Sequence, residues 1–213
     1  MLRLSCSGDK VSKKVATELD TRQLFTRLTR GDKEAFNRLF RLKYPALLSF
    51  AESYLGKTGK AEEVVSDLFA WLWMNREQAG EIDSPDTYLF KSVKKRSLNA
   101  LRDAAKVVPF DEQFMATRPS ADSTPRSLME QEELSNTLHH LVNNLPSQQK
   151  QVFKMIKEGG LSARQVAEVL QLSPRTVETH LYKAVKKLED EITRYLGYSP
   201  RGKQTKKILS LFW

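Results

Sequence analysis

The sequence predicts an all-α protein of two small helical domains joined by a flexible linker, with a helix-turn-helix in the C-terminal domain. Apolar residues recur at three- and four-residue spacing along most of the chain, without convincing strand alternation. Between two such blocks, Pro109, Pro119 and Pro125 punctuate an aperiodic stretch rich in Ser, Thr, Asp and Ala. With 213 residues, 40% of them hydrophobic, the chain can fill one large core or two small ones.

Charge and cysteine content narrow the class of protein. The formal charge of +9 favours a polyanionic partner, nucleic acid before acidic lipid, although a basic protein that binds no polyanion stays an alternative here. Cys6 is the only cysteine, which excludes an intramolecular disulfide and fits a cytoplasmic setting. No run approaches 18 apolar residues, so we predict no membrane insertion. Metal-ligand spacings and phosphate-loop or nucleophile motifs do not occur, so we predict no enzyme, catalytic residue, cofactor or metal site.

The N-terminal domain is predicted over residues 20–103, after a polar leader, 1–19, for which disorder is one interpretation. A short first helix ends at Gly31, and Asp32 is placed to cap a second helix in which Pro45 predicts either a kink or two abutting helices. A third helix, about 61–77, carries its apolar face on Ala61, Val64, Val65, Leu68, Phe69 and Leu72. A loop over 80–85 then leads to a fourth helix, about 86–103, with Leu89, Val93, Leu98 and Leu101 expected inward.

The linker is predicted over 104–127, the C-terminal domain over 128–196 and a basic tail over 197–213. In that domain Ser162 and Gln165 have capping-box spacing, Gln171-Leu172 predicts a tight turn, and Ser173-Pro174 is a strong helix start. The last helix has an apolar back of Val177, Leu181, Ala184, Val185 and Leu188. Its other face carries long polar side chains in the first two turns, as a DNA recognition helix requires. The alternative is an amphipathic surface helix with a solvated charged face.

The candidate DNA contacts of this helix are Arg175, Thr176, Glu178, Thr179, Lys183 and Lys186. Arginine pairs with guanine and a carboxylate accepts from the cytosine amine, so Arg175 and Glu178 are candidates for reading bases. Lys183 and Lys186, further along the helix, are better placed for phosphates.

Three segments resemble a family of transcription factors. The string LPSQQKQVFKMIKEGGLSARQVAEVLQLSPRTVETHLYKAVKKL, residues 145–188, resembles region 4 of bacterial sigma factors of the extracytoplasmic-function group. AEEVVSDLFAWLW, 61–73, resembles region 2.2 of that group, and TYLFKSVKKRSLNALR, 87–102, resembles regions 2.3 and 2.4. The three segments also have the order and spacing found in that group, and the resemblance covers about residues 20–103 and 130–195. It implies a dissociable subunit of RNA polymerase in the small stress- or signal-responsive group, with the linker in place of region 3.

The resemblance also implies partners. Region 2 would bind the clamp of the polymerase and the minus-ten element of the promoter. Region 4 would bind the flap of the polymerase and the minus-thirty-five element. Promoter DNA would therefore be bound both as a duplex and as a single strand. For the clamp the candidate residues are Glu62, Glu63, Asp67, Leu68, Trp71 and Asn75. The alternative is a solvated acidic face with the tryptophans in the core. Factors of this group are usually held inactive by an anti-sigma factor, which is therefore a further expected partner.

The candidate minus-ten and melting residues are Ser84, Tyr88, Lys91, Lys94, Lys95, Arg96, Asn99 and Arg102. Basic groups beside aromatics that stack on unpaired bases suit single-strand capture, although core packing of Tyr88 and Phe90 is an equal alternative. By analogy, the loop at 82–86 would hold an extruded base. The family often has Asn where this chain has Lys95, so a phosphate contact is expected there.

Two other classes of protein are alternatives to a sigma factor. A response regulator has a similar helix-turn-helix but needs an N-terminal α/β receiver, which the helical spacing of the first 130 residues does not favour. An enzyme would have to use Cys6, His139, His140 or His180. Neighbouring residues of a helix point about 100° apart, so His139 and His140 diverge.

Overall fold

Helices make up every element in the described part of the chain. The computed structural model describes residues 21–56, 59–107, 137 and 139–196. The first half contains α1 (21–29), α2 (Lys33–Leu55), α3 (Gly59–Met74), a single 3₁₀ turn (Gln78–Glu81) and α4 (Pro85–Val107). The second half contains α5 (139–143), α6 (Ser147–Lys157), α7 (Ala163–Leu170) and α8 (Pro174–Leu196). The predicted leader, the linker from residue 108 onward and the basic tail lie outside the described residues.

The start of α2 is capped as the sequence predicts. Asp32 Oδ1 accepts hydrogen bonds from the backbone N–H groups of Glu34 (3.0 Å) and Ala35 (3.1 Å). Asp32 Oδ2 lies 2.7 Å from the Arg27 guanidinium. The Ala35 N–H and Arg27 together lower the pKa of Asp32. The helix continues through Pro45, so the alternative of two abutting helices is wrong. An interior proline removes a helical hydrogen bond and crowds the preceding turn, but Leu47, Phe50 and Ala51, which follow Pro45, are buried in the core.

Aromatic side chains join α2 to α3. The Phe69 ring lies 4.8 Å from Phe40 and 6.2 Å from Phe36 between centroids, both edge-on, and Tyr44 stacks on Phe40 at 4.6 Å. All six apolar residues predicted for the inner face of the third helix are buried. The spacing of three and four residues therefore identified the inner face of α3 correctly.

The inward face of α4 differs from the prediction near its C-terminal end. Leu89 and Val93 are buried, but Leu98 and Leu101 are exposed, so their predicted inward orientation is wrong. The four-residue repeat from Leu89 and Val93 arrives at Ser97, which is fully buried, whereas Leu98 is turned about 100° away. The helix also begins at Pro85 and ends at Val107, so residues 104–107, predicted as linker, are helical.

The helix-turn-helix has the predicted caps. Ser162 Oγ accepts from the Gln165 N–H and Gln165 Oε1 accepts from the Ser162 N–H (2.8 Å), which closes a capping box at α7. Gln171 ends α7 in the left-handed conformation (φ 60°), where the tight turn was predicted. The Ser173 hydroxyl accepts from the Thr176 N–H (3.1 Å) at the start of α8. The back of α8 packs on α5 and α6 through a small core of Val142, Leu145, Phe153, Ala184, Leu188 and Ile192.

The two halves of the molecule share their larger core. Val152, Met155, Leu161, Val166 and Val169 of the second half belong to the same buried cluster as Leu47 and the aromatic residues of the first. α6 packs on α2, and α7 packs on α4. The sequence predicts two bodies on a tether, whereas the structure shows them in contact.

Candidate nucleic-acid and polymerase interfaces

The exposed face of α8 carries the predicted minus-thirty-five residues. Arg175, Glu178, Thr179, Lys183 and Lys186 are exposed, whereas Val177 and Ala184 on the opposite side are fully buried. Two threonines already have hydrogen-bond partners. The Thr179 hydroxyl donates to the Arg175 carbonyl (2.9 Å), and Thr176 Oγ1, half-buried, lies 2.8 Å from Ser173 Oγ at the helix start. Of the predicted residues, Arg175, Glu178 and the two lysines carry the longest side chains on this face.

Most of the predicted minus-ten residues on α4 share one side of the helix. Tyr88, Lys95, Arg96, Asn99 and Arg102 follow one another at the spacing of one helix face, and each is exposed or half-buried. This group is the strand face of α4. Its tyrosine ring lies 6.2 Å from the Trp71 ring, and burial raises the pKa of the Tyr88 hydroxyl. Single-strand capture needs such a combination of an accessible aromatic with cations.

Lys91 borders the strand face, three residues after Tyr88 and four before Lys95, and Lys94 lies further round α4; both side chains reach α7. Lys91 Nζ is 2.7 Å from Glu168 Oε1, and Lys94 Nζ donates to the Val169 carbonyl oxygen (3.0 Å). Partial burial lowers the pKa of Lys94. Phe90, one of the two aromatics in question, is buried beside Phe50, with ring centroids 5.2 Å apart. Core packing is therefore the outcome for Phe90, while Tyr88 keeps part of its ring exposed.

The segment before α4 is held from two directions. Arg22 donates to the Asp83 carbonyl, and the Ser84 hydroxyl donates to Thr87 Oγ1 (2.8 Å). Lys43 Nζ lies 2.6 Å from Asp86 Oδ1, with both side chains at most 10% exposed. The predicted base-holding loop, 82–86, is shorter than expected because Pro85 and Asp86 are buried in the first turn of α4.

The acidic side of α3 contains most of the residues predicted for the polymerase clamp. Glu62, Glu63 and Asp67 are exposed, and Glu63 is paired with Lys60 at 2.8 Å. Trp71 is half-buried, and Asn75 Nδ2 donates to the Trp71 carbonyl (2.9 Å) at the helix end. Leu68 is fully buried, so its prediction as a polymerase contact is wrong. It lies on the apolar stripe with Val64 and Val65 rather than on the acidic side.

Two families match this chain in the order of its two halves. Residues 39–107 match Sigma-70 region 2, and residues 135–188 match Sigma-70, region 4, together more than half of the chain. A curated relative, the ECF RNA polymerase sigma-E factor of Haemophilus influenzae, is 22% identical over 186 residues, covering 84% of this chain and 98% of the relative. The chain is an extracytoplasmic-function sigma factor of the sigma-70 family. As an alternative sigma factor, it acts in transcription initiation.

A solved structure has the same fold as the sigma factor. The structure of CnrH in complex with the cytosolic domain of CnrY aligns with a TM-score of 0.51 at 21% identity. The alignment covers 82% of the sigma factor and 98% of that chain. The rival interpretation as a response regulator fails, because the described residues of the N-terminal half are helical where an α/β receiver has strands.

The sequence analysis did not predict several residues of the sigma factor that support these surfaces. Lys43 and Asp86 lie 43 positions apart, and Arg22 and Asp83 lie 61 apart, so no local pattern signalled either pair. Tyr182, which the helical spacing places on the polar face of α8, is 68% exposed there.

Neither a metal cluster nor a membrane span occurs in the part of the sigma factor that the structure describes. Among the described residues, no group of three or more His, Cys, Asp or Glu side chains is arranged to hold a metal ion. Within the same ranges, none of the helices has the length and apolarity needed to cross a membrane.

Proposed function

We propose that this sigma factor directs core RNA polymerase to promoters by binding both of their elements. Residues 128–196 place α8 in the major groove of the minus-thirty-five element, and residues 20–103 bind the minus-ten element and help melt it. The observation that supports this most is the presence, in one chain, of a recognition helix and a basic-aromatic strand face. The genes served belong to a stress- or signal-responsive set, and the factor works in the cytoplasm.

In the minus-thirty-five element, Arg175 and Glu178 read base edges. Both are exposed in the first two turns of α8, the part of a recognition helix that enters the groove. Lys183 and Lys186, one and two turns further, contact phosphates. Thr176 and Thr179 contact DNA through their remaining lone pairs and methyl groups, since their hydroxyls already bond to Ser173 and Arg175.

In the minus-ten element, Tyr88 stacks on an unpaired base of the displaced strand. The cations of the strand face neutralise its phosphates, and Asn99 offers both a donor and an acceptor to a base edge. Ser84 belongs to the loop proposed to hold an extruded base. Lys91 and Lys94 also bind this strand, which requires that they leave their partners on α7.

For polymerase, the acidic side of α3 binds the clamp and the C-terminal domain binds the flap. Glu62, Glu63 and Asp67 supply the charge, with Trp71 and Asn75 beside them. An anti-sigma factor is the further partner that we propose. CnrH, which has the same fold, is solved with the cytosolic domain of another protein, CnrY, and this supports a comparable partner here.

The test is run-off transcription with purified core polymerase over a genomic fragment library. We expect transcripts that depend on the factor and share two upstream sequence elements. Asp67→Lys should weaken the affinity for core polymerase, whereas Glu77→Lys, an exposed acid beyond α3, serves as the matched control. The proposal fails if no transcript depends on the factor.

Base readout needs a separate experiment. Arg175→Ala or Glu178→Ala should relax the preference at one or two upstream positions by roughly 1–3 kcal/mol. Asp190→Ala, on the same helix and exposed, should leave the preference unchanged. An equal loss of binding on all sequences would show that the two residues contact phosphates instead.

A further inference from the structure

The first helix touches the segment that leads to the loop proposed to hold an extruded base. Two residues of α1 make these contacts. Arg22 donates to the Asp83 carbonyl, and a Cβ added at Gly80 would lie 3.1 Å from Thr29 Cγ2. Helix α1 is itself anchored in the core, because four of its side chains are buried, namely Thr21, Leu24, Phe25 and Leu28. The segment before α4 therefore rests on a helix whose position the core fixes.

Local hydrogen bonds hold this segment on either side of Asp83. The Ile82 N–H donates back into the 3₁₀ turn (3.3 Å), and the Ser84 carbonyl accepts from the Tyr88 N–H in α4 (2.9 Å). Asp83 lies between these two bonds and is exposed. The bond to its carbonyl comes from Arg22, 61 positions earlier in the chain. Arg22 therefore sets the orientation of the peptide group that joins Asp83 to Ser84.

The orientation of this peptide group decides which backbone atoms the loop presents to DNA. No peptide bond among the described residues is cis, and in a trans peptide the carbonyl and the following N–H point in opposite directions. The Asp83 carbonyl points at Arg22, so the Ser84 N–H is directed away from α1. A backbone N–H held in one direction is a suitable donor for an acceptor atom on the edge of an unpaired base.

We propose that Arg22 is a positioning residue for the extruded base of the minus-ten element, because its bond to the Asp83 carbonyl holds the Ser84 N–H toward that base. This rests on the proposed function of the loop at 82–86. Arg22 acts through the loop backbone and not on the DNA. Its loss should therefore change which base is preferred at one position of the element, and not the affinity for every sequence alike.

Three variants separate this role from an effect of charge or of folding. Arg22→Met keeps an unbranched side chain but removes every donor, whereas Arg22→Lys keeps a cationic donor for the carbonyl. Arg30→Met removes the same charge from an exposed position about two turns further along α1, and it is the matched control. Urea unfolding of R22M should match that of R30M, because both arginines are exposed.

The first measurement uses the holoenzyme and a promoter identified by run-off transcription, with its minus-ten element randomised. Sequencing the transcribed templates gives the base preference at each position of the element. R22M should reduce the preference at one position by about twofold to tenfold, which is the range that one hydrogen bond contributes, and should leave the other positions unchanged. R22K should keep most of the preference, and R30M should keep all of it.

The second measurement uses the free full-length factor and does not depend on transcription. Hydrogen exchange of the Ile82 amide, followed by NMR, should be at least about twofold faster in R22M than in R30M, because the segment loses its bond to α1. R22K should restore slow exchange, since its ammonium group can still donate to the Asp83 carbonyl.

Three results would overturn the proposal. Equal exchange of the Ile82 amide in R22M and R30M would show that Arg22 does not hold the loop. An R22M preference profile identical to that of R30M would leave Arg22 at most a structural role, whatever its urea midpoint. A uniform loss at every position would show that Arg22 contacts a phosphate instead. Absence of run-off from the wild-type factor contradicts the proposed function itself, whereas run-off by wild type together with any of these three results contradicts only the role of Arg22.

Discussion

Replacing Lys43 with methionine should destabilise the N-terminal half strongly. Lys43 Nζ and Asp86 Oδ1 are 2.6 Å apart, and the two side chains are 6% and 10% exposed. The variant leaves a carboxylate in the core without its cation, and removing one partner of a buried pair costs roughly 3–5 kcal/mol. Asp86 lies in the first turn of α4, where the helix dipole favours an anion, so we expect the lower end, about 3 kcal/mol.

The assay is urea unfolding of the free factor, followed by circular dichroism at neutral pH. Lys33→Met, at an exposed position of the same helix, is the control and should change the free energy of unfolding by less than about 0.5 kcal/mol. The double variant K43M/D86L should cost much less than the sum of its single variants, because an apolar pair needs no countercharge. A K43M variant as stable as K33M, or strict additivity in the double variant, would refute the reasoning.

The remaining predictions concern caps and core. Asp32 has a lowered pKa when folded, so its contribution to stability is present above pH 3.8 and is lost as the pH falls through the folded pKa. Asp32→Asn should therefore reduce the change of the urea unfolding midpoint with pH in that acidic range. A pH dependence identical to that of the wild type would contradict this prediction. If the capping box stabilises α7, Ser162→Ala should lower the free energy of unfolding, measured by thermal denaturation, by about 1 kcal/mol. Ser162→Gly should lower it by only a few tenths of a kcal/mol. Phe69→Ala should lower the free energy of unfolding by about 3–5 kcal/mol. Met74→Ala, at a largely exposed position of the same helix, should change it by no more than about 0.5 kcal/mol. Similar losses for the two variants would argue against a stabilising role of the aromatic cluster.

Local sequence patterns predicted the helices and the site faces that depend on one helix alone. On the apolar back of α8, Val177, Ala184 and Leu188 are buried and the other two residues are partly buried, whereas the predicted polar residues are exposed or half-buried. A helix presents every third or fourth residue to the same side whatever lies around it. The caps at Asp32, Ser162 and Ser173 were predictable for a similar reason, since each bonds to the backbone within three residues.

Prediction failed where a residue's environment comes from a distant part of the chain. The apolar spacing of α3 already placed Leu68 inward, and it is fully buried, so only its assignment to the polymerase surface failed. Leu98 and Leu101 are apolar but exposed, because the repeat on α4 that meets the core passes through Ser97. Periodicity reports which side of a helix is apolar, but it does not report how wide a strip the neighbouring helices cover.

The sequence by itself determined an all-α chain with a helix-turn-helix and a basic-aromatic helix, and it identified the sigma family. These features arise from bonds and spacings within a turn or two of the chain. Only the tertiary structure decided that Lys91 meets Glu168, 77 positions away, and that Phe90 is buried against the second half. Such contacts depend on how two amphipathic bodies pack, and many pairings bury similar apolar area, so helical periodicity alone cannot select among them.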